Sequence, residues 1–260
     1  MVRTEVVIKF DGTKLIGYLP AGFPTVGEGI SALLTMVDAG VDLVEVGFPY
    51  SDPVMDGPVI QQACETALAA GVRPADVLRT VEAVTATGTP AVVMSYWNPI
   101  ERYGVDAFAR DLDAAGGSGL ITPDLIPEEA GEWLAASDEY KLDRIFLVAP
   151  SSTDERLHMT ASHCRGFVYA TAVMGVTGAR GESSTAAPVL VERLRKVTDL
   201  PVGVGLGVST GAQAAEVAGY ADGVIVGSAL VRCLQGVDAA TGQARIRTLV
   251  ADLSDGVRAR

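Results

Sequence analysis

The sequence predicts an α/β fold, a single (β/α)8 TIM barrel. Three observations lead there. Short apolar runs rich in Val, Ile and Leu alternate eight times with helical segments, and such alternation requires right-handed parallel crossovers. The 260 residues hold all eight units with no linker long enough to divide them, and barrels of this kind take about 250 residues in one piece. Glycine-rich loops gather late in the chain, where such barrels place anion sites. The competing architecture is a doubly wound sheet. One domain is expected over residues 1–260, with 1–13 an atypical N-terminal arm and 242–260 a closing helix and tail.

In chain order, Lys14 to Pro20 reads as the first strand after the Asp11-Gly12 turn, with Glu5 to Phe10 as an arm that could pair with it. Thr25 caps a helix whose apolar positions Ile30, Leu33, Leu34 and Val37 recur at i, i+3, i+4, i+7 and which Gly40 ends. Val41 to Val46 is the second strand. Helices follow from Pro58 to Ala70 and from Pro74 to Thr87. Next come a strand at Pro90 to Ser95, a helix at Asp106 to Ala115, a strand at Gly119 to Thr122 and a helix at Glu128 to Ala136. Arg144 to Val148 and Gly166 to Ala170 are strands, with a helix at Asp154 to Ser162 between them. Beyond a Gly/Ser/Thr loop lie a helix at Pro188 to Val197, a strand at Pro201 to Val204 and a helix at Gly211 to Val217. The strand Gly223 to Val226, the short helix Ser228 to Leu234 and a helix from Gly242 to Leu253 complete the chain.

Composition narrows the function. An apolar content of 48% supplies a core, and the net charge of −12 without a Lys/Arg cluster argues against nucleic acid and anionic membranes as partners. Cys64, Cys164 and Cys233 are odd in number and lack metal spacing, as in a reduced cytoplasmic protein with buried thiols. His158 and His163 lie five apart, off the helical spacing of a metal pair. Val6-Val7-Ile8 is too short for a signal peptide, and no run approaches a membrane span.

Functional groups of a barrel collect at the C-terminal ends of its strands. The second strand offers Glu45, an acid inside an apolar run, and then a loop fixed by Pro and Gly that carries Asp52 and Asp56. Tyr18, Tyr96 and Tyr169 stand at three other strand ends and could line a cleft for a flat ring, with Asp124 at a fourth. The loops Gly175–Gly181, Gly205-Leu206-Gly207-Val208-Ser209 and Gly227-Ser228 suit an anion held by backbone amides. Neither a metal cluster, a Cys or Ser triad nor a placed Schiff-base lysine is visible, so proton transfer on a phosphorylated small molecule is expected, without cofactor or metal.

The stretch Glu45-Val46-Gly47-Phe48-Pro49-Tyr50-Ser51-Asp52-Pro53-Val54-Met55-Asp56-Gly57-Pro58 resembles the signature of tryptophan synthase α subunits. Tyr96-Trp97-Asn98-Pro99-Ile100, Pro123-Asp124-Leu125, Gly175-Val176-Thr177-Gly178 and Gly205-Leu206-Gly207 extend the similarity over nearly the whole chain. The resemblance implies retro-aldol cleavage of indole-3-glycerol phosphate to indole and glyceraldehyde 3-phosphate. It implies Glu45 as general acid/base, Asp56 as the carboxylate on the indole N–H, and Tyr169 as an active-site tyrosine. Thr177 matches a mobile-loop residue that meets the catalytic Asp, and Gly178, Gly207, Gly227 and Ser228 match the phosphate-binding backbone, with Leu206 beside them. It further implies a β subunit carrying pyridoxal phosphate, in an α2β2 assembly that uses residues 49–58 and the neighbourhood of Asn98-Pro99. The chain departs from the pattern in a short, strand-like segment where a floor-plugging helix is usual, in Phe23 before Pro24, and in Ile126 between Leu125 and Pro127. Alternative roles are a stand-alone indole-3-glycerol phosphate lyase, a weakly active subunit that activates a β partner, and another phosphate-handling barrel such as an isomerase.

Overall fold

A computed structural model describes residues 8–171, 186–205 and 207–259. Eight strands form a closed barrel in sequential order: β1 (Lys14–Pro20), β2 (Leu43–Gly47), β3 (Ala91–Met94), β4 (Gly119–Thr122), β5 (Asp143–Val148), β6 (Val168–Thr171), β7 (Val202–Gly205) and β8 (Gly223–Val226). Every neighbouring pair is parallel, and β1 meets β8 in the register Lys14↔Gly223 to Gly17↔Val226. That last pairing excludes the doubly wound sheet, whose edges stay open. It also leaves no edge of β1 for the arm expected over Glu5 to Phe10. Among the described residues of that arm, Ile8 is instead buried in the barrel interior, and the Phe10 ring lies 5.8 Å from that of Phe167.

Successive strand residues face opposite sides, and the apolar runs divide accordingly. Inward go Ile16, Leu43, Val92, Ile121, Ile145 and Ile225, with Phe167 at the entry to β6. β7 contributes Gly203, where a Cβ would stand 3.0 Å from the Phe167 ring; the missing side chain is the space that ring fills. Outward residues such as Leu15, Val44, Val93, Leu120, Phe146, Val204 and Val224 pack under the helices.

The helices are α1 (Val26–Ala39), α2 (Pro58–Ala69), α3 (Pro74–Thr85), α4 (Trp97–Tyr103), α5 (Val105–Ala114), α6 (Gly131–Glu139), α7 (Asp154–His163), α8 (Ala186–Arg195), α9 (Gly211–Ala218), α10 (Ser228–Leu234) and α11 (Ala239–Arg258). α1 shows the boundary signals at work: Thr25 accepts the Glu28 N–H at its start, and Gly40 takes φ 117° at its end, a left-handed conformation that suits glycine. Three helical expectations need correction. α4 lies between the strand expected at Pro90 to Ser95 and the helix expected at Asp106 to Ala115, where the sequence predicts no helix. The helix expected at Glu128 to Ala136 is a 3-10 turn, Pro127–Glu129, followed by α6. α11 begins earlier and ends later than Gly242 to Leu253, because Asp238 caps it through the Thr241 N–H and its glycines serve packing. Cys64 and Cys164 are buried free thiols and Cys233 is half-buried. Among the described residues, no helix is long and apolar enough to cross a membrane.

Candidate active site

Glu45 shares the inward face of β2 with Leu43, one layer nearer the C-terminal end. It is 1% exposed, pairs in register with Tyr18, and its Oε1 has no hydrogen-bond partner among the described residues. Burial with so little compensation pushes its carboxyl up to about 8.

Two glycines open the chamber around it. A Cβ on Gly47 would lie 2.4 Å from the Tyr18 hydroxyl, and one on Gly205 would lie 2.6 Å from the Tyr169 hydroxyl. Each tyrosine therefore leans over a neighbouring strand at a position where only hydrogen fits. Burial, joined by the fields of Glu45 and Asp56, holds both phenols far above their ordinary value and so protonated. For Tyr18, the Cys64 thiol ranks ahead of those carboxylates.

Asp56 reaches the same chamber from the loop between β2 and α2. The loop is held by the Asp56 N–H on the Pro53 carbonyl at 3.3 Å and by the Gln61 side-chain amide on the Asp56 carbonyl at 2.7 Å. Burial pushes the Asp56 carboxyl up to about 6, opposed by the nearby Tyr96 hydroxyl, which accepts the Met55 N–H at 2.9 Å. Tyr96 lies two residues beyond β3 as the N-cap of α4. Asp124, just past β4, accepts the Trp97 N–H at 2.9 Å, and partial burial raises its carboxyl.

Gly227 and Ser228 join β8 to α10, with Gly227 against the Tyr18 ring; Gly207, at φ 69°, follows β7. Glu45, Asp56, Tyr18, Tyr96, Tyr169, Asp124, Gly207, Gly227 and Ser228 thus gather at the C-terminal end of the barrel, while Thr177, Gly178 and Leu206 lie outside the described residues. Reading the sequence as a set of strand ends overlooks three participants. Cys64 lies beside Asp56, and burial and the Asp56 field push its thiol up to about 12; Tyr50 packs on Tyr96 with ring centroids 5.4 Å apart. Asn98 donates its side-chain amide to the Tyr50 hydroxyl at 3.0 Å. Cys64 was within reach of helical spacing: it stands four residues after Ile60 on the buried face of α2.

With an acid in its protonated state beside a second carboxylate and two neutral phenols, the chamber can deliver a proton to a substrate and stabilise the cation that results. The family model described as "Tryptophan synthase alpha chain" matches residues 7–258. A tryptophan synthase alpha chain of Salinispora arenicola is 70% identical over 247 residues, covering 94% of this chain and 92% of the relative. Among solved structures, tryptophan synthase of Mycobacterium tuberculosis superposes with a TM-score of 0.90 at 60% identity, over 96% of this chain and 94% of that one. A mutant tryptophan synthase alpha-subunit from the hyperthermophile Pyrococcus furiosus superposes at 0.85 with 32% identity, over 92% and 97%.

Proposed function

The chain belongs to the tryptophan synthase alpha chain family, and from that premise we infer that it is the α subunit of a tryptophan synthase. It is a lyase of tryptophan biosynthesis that cleaves indole-3-glycerol phosphate to indole and glyceraldehyde 3-phosphate, paired with a β subunit. That biosynthetic role, with buried unpaired thiols at Cys64 and Cys164, supports the cytoplasm as its compartment.

Glu45 enters the reaction as the acid, since burial keeps its proton in place up to about pH 8. It gives that proton to indole C3, and positive charge spreads to the ring nitrogen. Asp56, ionised above about pH 6, accepts the indole N–H and balances the charge. The Glu45 carboxylate then takes the proton from the hydroxyl on the glycerol carbon bonded to C3. The carbon–carbon bond breaks, its electron pair returns to the ring, and the hydroxyl carbon leaves as the aldehyde. Glu45 ends protonated, ready for the next turnover. Positioned acid and base groups of this kind contribute roughly 10²–10⁴-fold each.

Tyr18, Tyr96 and Tyr169 supply the walls for the indole, and Asp124 contributes by fixing the start of α4. The phosphate is assigned to backbone amides of Gly178, Leu206, Gly207, Gly227 and Ser228, with Thr177 closing toward Asp56. The positions of Gly207 and Gly227-Ser228 past β7 and β8 support this. The observation that carries the mechanism is the buried Glu45, whose Oε1 has no hydrogen-bond partner among the described residues, sharing its tyrosines with Asp56. Its test is indole release by the chain with and without a β subunit, beside Glu45→Gln and Asp56→Asn. Both variants lose at least about 10²-fold, whereas a variant at wild-type rate would remove that residue from the mechanism. Strong stimulation by the β subunit is expected; fast release without any stimulation would indicate a free-standing lyase instead.

A further inference from the structure

A second buried acid points into the barrel, and the reaction makes no use of it. Asp143 is the first residue of β5, two residues below the inward Ile145, and stands at the mouth opposite Glu45 with 2% of its surface exposed. Burial pushes its carboxyl up to about 6, so it is charged at neutral pH, and a buried charge needs partners. One oxygen faces a cation engaged elsewhere. Arg165 Nε lies 3.8 Å from Asp143 Oδ1 but bonds the Leu142 carbonyl at 3.1 Å. Its other nitrogens hold the Ser137 carbonyl at 2.6 Å and the Asp138 carboxylate at 2.9 Å. The second oxygen, Oδ2, accepts the Ile8 N–H at 3.5 Å. Gly166 closes in beside it: at φ 89° it comes so near that a Cβ would stand 2.8 Å from Oδ2.

Ile8 belongs to the segment before β1, and the floor of the barrel is shaped to receive that segment. Ile8 is buried in the interior cluster, and the Phe10 ring packs on Phe167. Gly223 leaves room for it, since a Cβ there would be 3.3 Å from the Phe10 ring. Lys9, between the two, is exposed. Residues 8–10 belong to no strand or helix. The chain then turns through Asp11-Gly12, where Gly12 takes φ 114° with open space around it, before β1 begins.

We propose that residues 8–10 form a strap across the N-terminal mouth of the barrel, with Asp143 as its latch. The strap swings out about Asp11-Gly12 when the Ile8 N–H leaves the Asp143 carboxylate, and it does so with the barrel intact. Its place at the mouth remote from Glu45 and Asp56 lets it open without disturbing the reaction site. Docked, with Ile8 buried and Phe10 half-buried on either side of Lys9, the segment cannot enter a protease; opened, it can.

Limited trypsin digestion of the full chain at neutral pH, followed by mass spectrometry, reads the opening as the rate of cleavage after Lys9. Hydrogen exchange in β1 and circular dichroism report the barrel. Asp143→Leu keeps a side chain of similar size and removes the acceptor. Cleavage after Lys9 should quicken at least about tenfold, while exchange in β1 keeps its wild-type rate. Ile8→Pro removes the N–H from the other side and decides the matter if Asp143→Leu does not fold. Ile8→Ala, which keeps the N–H, should open the strap less than Ile8→Pro does. Wild-type cleavage in a folded Asp143→Leu or Ile8→Pro variant would overturn the proposal and leave apolar packing as what holds the strap. Equal opening in Ile8→Ala and Ile8→Pro would overturn it in the same way. Cleavage that quickens only in step with exchange in β1 would overturn it as well, because the strap would then open with the barrel rather than apart from it.

Discussion

Glu45 and Asp56 differ in the state that catalysis needs: the first must begin protonated, the second charged. Their carboxyls stand at about 8 and about 6, so kcat/KM should form a bell, falling below about pH 6 and above about pH 8; initial rates from pH 5 to 9 check this. The same raised value has a cost in stability. Folded Glu45 binds its proton more tightly than the unfolded chain does, so stability declines as pH rises from 4.5 through about 8. Glu45→Gln removes the ionisation. At pH 8 the variant should melt above wild type, by about 2–4 °C for each kcal/mol regained, and the difference should vanish near pH 4. Equal melting curves at pH 8 would show that the carboxyl is not held in its neutral form. A second residue-scale expectation concerns Gly205. Gly205→Ala would press on the Tyr169 hydroxyl and should lower turnover while the fold, followed by circular dichroism, persists.

At the scale of elements, α9 and α11 approach each other closely. A Cβ on Gly256 would lie 2.1 Å from the Gly211 carbonyl oxygen, and the Gly211 N–H bonds the Asp252 carboxylate at 2.6 Å. Gly256→Ala must push two backbones apart and should destabilise by about 1–3 kcal/mol in denaturant unfolding. The same glycine shows what the sequence does and does not disclose. Lys14–Pro20, Gly119–Thr122 and Gly223–Val226 can be read to the residue, because apolar runs are bounded there by turn formers. Gly242 and Gly256 read locally as breakers yet lie inside α11, where a neighbouring element needs the space. α4 escapes because Trp97-Asn98-Pro99 resembles a strand end. Its helix exists because Asp124 takes the Trp97 N–H and because Pro99 falls in the first turn, where a missing N–H is harmless. The carboxylate pair is legible since both acids fall in one stretch. Asn98 is not, because its bond to Tyr50 joins residues 48 apart.

For the molecule as a whole, the apolar Val54 is left uncovered on the loop that carries Asp56. Placing this surface against the β subunit predicts that Val54→Asp lowers the stimulation given by that subunit far more than it lowers cleavage by the chain alone; parallel losses would place the contact elsewhere. Closure of the sheet bears on how the chain comes into being. β1 borrows one of its two edges from β8, whose first residue is Gly223. On the ribosome, chains lengthen by about 5–20 residues per second, so the opening strand waits on the order of 10–40 s for its last neighbour to emerge. Throughout that interval a nascent chain offers a row of unsatisfied amides and carbonyls, the kind of edge that invites pairing with strangers. The pair that closes the barrel can therefore form only after β8 has been made, long after β1.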